Sequence, residues 1–177
     1  MSIAEGIRLQ VRQEAHFACE FCGVTETDTG GELTVDHFRP QTKGGTDDLD
    51  NLLYSCHRCN QYKADYWPAR PDDPVLWNPR QEPLETHLLI LTDGMLYPVT
   101  PTGAFTLKRL RLNRPPLVAY RLRKHHHTEE QRLLRRCHDI VAVLEQLYQQ
   151  QVVLLEEQRT LLEQQRALLA LLLKRRI

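Results

Sequence analysis

Four of the five cysteines in this 177-residue chain form two C-x-x-C pairs, Cys19 with Cys22 and Cys56 with Cys59. Two such pairs predict four thiolates at the spacing of a tetrahedral zinc site, where the Zn–S distance is about 2.3 Å. Four sulfur ligands leave no position for a substrate, so we expect the zinc to be structural. A redox dithiol would need only one pair, and the odd cysteine count is untypical of a disulfide framework. The chain is therefore expected to fold around a metal.

The segment between the two pairs carries a second set of polar residues. Asp36 and His37 end an alternating, β-branched stretch that predicts a short strand, and Asn51 and Asn60 come later in the chain. For an isolated Asp-His pair, a strand-end cap beside a buried histidine would be the simpler interpretation. The order of the whole set of motifs favours a different interpretation from a strand-end cap and a buried histidine.

That order is C-x-x-C, D-H-x-x-P, G-G, D-N-L, C-x-x-C-N and then Lys63. It closely resembles the HNH endonuclease family, which belongs to the ββα-metal nucleases. The resemblance covers residues 15–66 and is specific, because five separated elements agree in order and spacing. Residues 75–123 are similar to the extension of some stand-alone bacterial HNH proteins, in N-P-R…H…D-G…T-x-x-G…L-x-L-N-R. Residues 125–177 lie outside the resemblance.

The resemblance implies a role for each polar residue. His37 would be the general base, and Asp36 and Asn60 would bind the catalytic Mg²⁺ or Mn²⁺ ion. Asn51 would hold the His37 loop by hydrogen bonds. The family often has a second histidine where this chain has Asn60, and an amide oxygen favours an oxygen-binding metal. His57, inside the second cysteine pair, is the alternative ligand.

Positive charge is concentrated in one segment although the net charge is zero. Residues 104–136 contain 10 Lys and Arg against 2 Glu, whereas residues 1–70 contain 7 against 11 acidic residues. A local excess of positive charge attracts polyanions, so we expect the basic segment to bind nucleic acid, above all double-stranded DNA. Arg39, Arg58 and Lys63 are further candidates for phosphate contacts. The alternative for each cation is simple solvation.

The C-terminal region predicts helix, because residues 117–177 contain neither Gly nor Pro. Leucine doublets recur every seven residues, at 154/155, 161/162 and 168/169, which is typical of a coiled coil or an antiparallel helical hairpin. Breaks are expected at His125–His127 or near Gln149–Gln151. A homodimer, an intramolecular helix pair and a different partner protein are the three alternatives for the apolar stripe.

The sequence thus predicts an α+β fold with a small zinc-stapled ββα-metal core, a β-hairpin extension turning at Asp93-Gly94, and a long helical C-terminal region. The expected segments are an HNH nuclease domain with its hairpin (1–103), a basic helical segment (104–136) and a leucine-rich tail (137–177). No apolar stretch is long enough to cross a membrane and the N-terminus lacks a signal-peptide core, so we expect a cytoplasmic location.

The expected function is metal-dependent hydrolysis of phosphodiester bonds in DNA. One alternative is a non-catalytic zinc module that binds nucleic acid. Another is a nuclease effector subunit that is active only with a partner protein docked on its C-terminal helices, by analogy with bacterial defence systems.

Overall fold

The structure is a computed structural model that describes residues 3–174, with the backbone alone over 172–174. The chain divides into two compact units, Met1–Lys124 and His125–Ile177. The three segments expected from the sequence stay a prediction, and their ends at residues 1–2 and 175–177 lie outside the described residues.

The first unit contains a ββα arrangement in its N-terminal half. Strands β1 (Thr34–His37) and β2 (Leu52–Ser55) pair antiparallel, with Asp36 opposite Leu53, and α3 (His57–Lys63) follows β2 directly. Every residue of β2 is buried, since β2 packs against α1 (Glu5–Glu14) as well as β1. The one-turn helix α2 (Glu26–Thr29) lies between α1 and β1 in the chain. The strand predicted to end near His37 is therefore confirmed.

The extension forms a second small sheet and a helix. Strands β3 (Leu88–Ile90) and β4 (Leu96–Pro98) pair antiparallel around the Asp93-Gly94 turn, as predicted, and α4 (Pro101–Arg109) follows. These elements share one core with the ββα arrangement, formed by the buried residues Val11, Phe21, Leu52, Leu53, Leu76, Trp77, Leu88, Leu96, Leu110, Leu112 and Leu117. Mixed helices and two small hairpins confirm the α+β class.

The residues that resemble the extension of HNH proteins hold this part of the fold together. Asn113 brackets β4 by donating to the Leu96 carbonyl and accepting from its amide, both at 2.8 Å. Gly103 is required by close packing, because a Cβ there would lie 2.1 Å from the His87 carbonyl oxygen. Arg80 donates to Glu14 at 2.9 Å and so ties the extension to α1. These contacts give the residues of the extension motif a structural role.

The last helix, α5, runs without interruption from Pro115 to Lys174. Its first residues suit an N-terminus, where proline is favoured. The breaks predicted at His125–His127 and near Gln149–Gln151 are wrong, and within the described residues the tail does not turn back on itself. The physical reason is that Leu, Gln, Glu and Arg all favour helix, while the strong helix breakers are absent. No described helix has the length and apolarity that a membrane crossing requires.

Candidate metal centre and nuclease site

The four paired cysteines come together in the first unit. Their sulfur atoms all lie within 4.8 Å of one another, and Cys22 Sγ is 3.7 Å from Cys56 Sγ. Four sulfurs about 2.3 Å from a tetrahedral zinc would be separated by about 3.8 Å, so the cluster could hold a metal such as zinc. The tight turn at Cys19–Cys22 and the start of α3 at Cys56–Cys59 each bring one pair.

The electrostatics of the cluster also favour a cation. The neighbouring thiol of Cys19, above all, raises the pKa of Cys22 and of Cys59, and burial raises both further. Four sulfurs this close cannot all ionise unless positive charge compensates them. A bound metal ion would supply that charge, because it binds the thiolate form.

Arg114 contacts the same cluster from the loop before α5. One of its guanidinium nitrogens, Nη2, lies 3.8 Å from Cys59 Sγ and 4.0 Å from Cys56 Sγ. Burial is the largest single effect and lowers the pKa of Arg114, but the sulfurs of Cys59, Cys22 and Cys56 together raise it more, so the net shift is upward. Its side chain thus offers hydrogen bonds and positive charge to two of the four clustered sulfurs.

We therefore expect Arg114→Met to weaken metal binding. Losing a partner of a metal ligand typically costs about 10–100-fold in affinity, because the ligand is no longer held in place. Competition with a coloured zinc chelator measures the change. Arg58→Met, an exposed change on α3, is the control and should leave zinc affinity unaltered. Equal zinc affinity in the Arg114 variant and the wild type would contradict this role.

Asp36 faces α3 from the neighbouring strand. Its Oδ2 atom is 3.0 Å from the amino nitrogen of Lys63, whose side chain is fully buried. Among the described residues, Oδ2 has no hydrogen bond of good geometry although it is buried. Lys63, one of the candidates for a phosphate contact, is buried and its amino group pairs with Asp36 instead.

His37 is the next residue on β1 and its side chain is largely buried. Its Nε2 atom lies 2.7 Å from Oδ1 of Asp47, in the loop between the strands. The hydrogen bond with His37 is the main cause of a lowered pKa at Asp47. An ionised Asp47 would accept a hydrogen bond from Nε2–H and leave the lone pair of Nδ1 free. Sequence reasoning missed Asp47, although it follows the Gly44-Gly45 turn closely.

Asn51 lies beside the segment that follows His37. Its side-chain oxygen accepts from the Arg39 amide at 2.8 Å, and its amide nitrogen donates to the carbonyls of Arg39 and Thr46 at 3.1 and 2.8 Å. The same loop needs Gly45, where a Cβ would lie 1.8 Å from the Arg39 carbonyl oxygen. Asn51 thus ties together the two ends of the loop that carries Asp47.

Asn60 is half-buried on α3, one turn before Lys63. Residues three apart share a helix face, so Asn60 lies on the face that pairs with Asp36. His57, the alternative ligand, is exposed at the first position of the helix. Asp36 thus pairs with the helix that carries Asn60, while His37 and Asn51 both contact the loop between the strands.

Several arginines of the basic segment are engaged inside the first unit. Arg109 donates to the Lys63 carbonyl at 3.1 Å and stacks 4.5 Å from the Tyr66 ring centre. Arg121 donates to the carbonyls of Gly94 and Leu112. These side chains hold the extension in place, so the charge count of the segment overstates its capacity for nucleic acid. Exposed cations in the same segment include Arg132, Arg135 and Arg136, in the second unit.

Comparison with known families identifies the segment that carries this site. Residues 19–65 match the family model described as HNH endonuclease. The matched residues, which span both cysteine pairs and the Asp36–Asn60 region, are thus similar to the HNH endonuclease family. No match was found among curated proteins or among solved structures.

Proposed function

We propose that the HNH domain is a metal-dependent endonuclease that hydrolyses phosphodiester bonds in DNA. The observation that carries the proposal is the Asp36 carboxylate, which is adjacent to His37 on β1 and pairs with Lys63 of α3, the helix that also carries Asn60. A carboxylate and an amide suit a hard divalent cation, and a neighbouring imidazole suits proton transfer. Both features lie within the match to the HNH family.

In this proposal His37 is the general base. Asp47 holds Nε2 at 2.7 Å, which fixes the ring and keeps Nδ1 ready to accept a proton from the attacking water. Asn51 acts as a positioning residue, since its three hydrogen bonds hold the loop around the histidine. His37 would thus accept the proton, and Asn51 would hold the loop beside it.

Asp36 and Asn60 would hold the catalytic Mg²⁺ or Mn²⁺ ion. Such an ion, when bound, stabilises the negative charge that develops on the phosphate and the leaving oxygen. Lys63 sits beside Asp36 as a positive charge, which orients that carboxylate. The four-cysteine site would carry zinc and stabilise the fold, because its thiolates leave no open coordination position.

We expect the purified protein to nick or cut plasmid DNA in Mg²⁺ or Mn²⁺ and not in excess chelator. Asn60→Ala should need a higher Mg²⁺ concentration for half-maximal rate, because one of two protein ligands is lost. Gln61→Ala, the exposed neighbouring position, is the matched control. Parallel assays with linear duplex, single strands and RNA define the substrate. Unchanged metal dependence in the Asn60 variant would argue against its role as a ligand.

A non-catalytic zinc module that binds nucleic acid is the first alternative. Such a module would require the cysteines but would have no use for a buried carboxylate beside a histidine.

We also propose a cytoplasmic location, since reduced thiols persist in that compartment.

The second alternative is a nuclease that works only as part of a larger assembly. The specific observation in its favour is the set of large apolar side chains on α5 that remain half or more exposed. In that case the isolated protein would bind zinc and fold but cut slowly until its partner is added.

A further inference from the structure

The exposed apolar residues of α5 form one continuous stripe. Six doublets recur every seven residues, and each member is between 50% and 64% exposed. They are Leu133 and Leu134, Ile140 and Val141, Leu147 and Tyr148, Leu154 and Leu155, Leu161 and Leu162, and Leu168 and Leu169. A monomer rarely exposes so many apolar side chains in one contiguous patch. Nothing in the described chain covers them, so the cover must come from outside the chain.

The residues between the doublets complete a heptad seam. Cys137, Leu144, Gln151, Gln158 and Gln165 each lie four residues after the first member of one doublet and three before the next. Alternating steps of four and three are the d-to-a and a-to-d steps of a coiled coil. The first members of the doublets are then d positions, and these five residues are a positions. All five are exposed in the isolated chain.

The three glutamines restrict what can cover the stripe. In a parallel, in-register pair, each a residue faces its own copy, so Gln151, Gln158 and Gln165 would pair amide to amide. In an antiparallel pair, a faces d, and each glutamine would be buried against leucine without a hydrogen-bond partner. An identical helix in the same direction therefore satisfies the polar layers and the apolar layers together.

We propose that α5 assembles with a second copy of itself as a parallel, in-register coiled coil over residues 133–171. The apolar e positions, such as Leu155 and Leu162, widen the stripe beyond a minimal two-stranded seam, so the same register also accommodates more than two copies. The inference rests on the tail alone and does not depend on whether the HNH site cuts DNA.

Cys137 provides a direct test, because it is the exposed first a-layer of the seam. In the parallel pair two copies of Cys137 would face each other, and a short bismaleimide should link most of the zinc-loaded full-length protein into a covalent dimer. In a fully overlapped antiparallel pair they would be about 45 Å apart at 1.5 Å per residue. Cys137→Ser is the control for links through the zinc cysteines.

Two further variants and one control test the apolar seam and its register. Leu154→Glu with Leu161→Glu should reduce the mass in light scattering to one chain, whereas Ala142→Glu with Ala170→Glu, on the opposite f positions, should not. Changing Gln151, Gln158 and Gln165 together to Leu should keep the chains associated but lower the Cys137 link yield severalfold, because the register is no longer specified. Zinc content and helix content confirm that each variant is folded.

The outcome separates the possible occupants of the stripe. A mass of two or more chains together with efficient Cys137 linkage supports the proposal. A full-length protein that is monomeric at micromolar concentration overturns it. An oligomer in which Cys137 does not link, but cysteines introduced at opposite ends of the stripe do, also overturns it, because that pattern indicates an antiparallel pair. Plasmid cleavage is measured separately, so failure of the coiled coil and failure of the nuclease proposal are distinguishable.

Discussion

Replacing His37 with Ala is expected to lower the rate of DNA cleavage by about 10²–10⁴-fold, the usual contribution of a general base. This corresponds to about 3–5 kcal/mol of activation free energy. The fold and the affinity for nucleic acid should persist, because the imidazole is proposed to act on water and its nearest polar contact is one exposed carboxylate. Single-turnover cleavage with a binding assay on the same preparation measures both quantities.

His138→Ala is the matched control, because that histidine is exposed on α5 and lies outside the residues that match the HNH family. Asp47→Asn keeps the hydrogen bond but removes the charge, so it should give a smaller loss of rate with a changed pH profile. Wild-type cleavage by the His37 variant would show that this site is not the nuclease centre and would favour the non-catalytic alternative.

Local patterns in the sequence predicted the elements that position the site. Alternation in the stretch before His37 predicts β1, and Asp93-Gly94 predicts the turn between β3 and β4. Two C-x-x-C pairs predict the sulfur cluster. Local spacing brings two sulfurs together within each pair, and one long loop then brings the two pairs together. These features depend on residues close together in the chain, where sequence spacing fixes geometry.

Contacts between residues far apart in the chain could not be predicted in the same way. Lys63 looked like a candidate for phosphate, yet it is buried against Asp36. Arg114 looked like part of a basic surface, yet it reaches the sulfurs of Cys56 and Cys59. A cation's role depends on which carboxylate, carbonyl or thiolate the fold brings to it, and charge counting carries no such information.

The tail shows the opposite limit of sequence reasoning. The seven-residue repeat correctly indicated helix. Breaks were expected at His125–His127 or near Gln149–Gln151, because a helix too long to pack on a small core has to fold back or find a partner. In the structure α5 stays continuous, because no residue in it stops a helix. The apolar stripe is left uncovered instead. Periodicity thus predicts which face needs a partner, while length alone does not decide whether that partner is the same chain.

Loss of one zinc ligand is the change expected to affect stability most. Structural zinc sites contribute apparent binding free energies of about 10–16 kcal/mol, which equals or exceeds the total stability of a typical domain, about 5–15 kcal/mol. Cys19 and Cys56 belong to different C-x-x-C pairs and are both buried. Either of them changed to Ser would replace a thiolate with a hydroxyl that binds zinc poorly at neutral pH.

We therefore expect Cys19→Ser or Cys56→Ser to release about one zinc ion per chain and to unfold the first unit, while the helix of the second unit persists. Zinc analysis by mass spectrometry gives the stoichiometry, and a thermal melt followed by tryptophan fluorescence reports on Trp67 and Trp77, which both lie in the first unit. Cys137→Ser, an exposed change on α5, should leave zinc content and melting temperature unchanged. A full zinc complement with an unaltered melt in the Cys19 or Cys56 variant would mean that the four sulfurs do not form a structural metal site, and the fold of the first unit would then have to be stabilised by its apolar core alone.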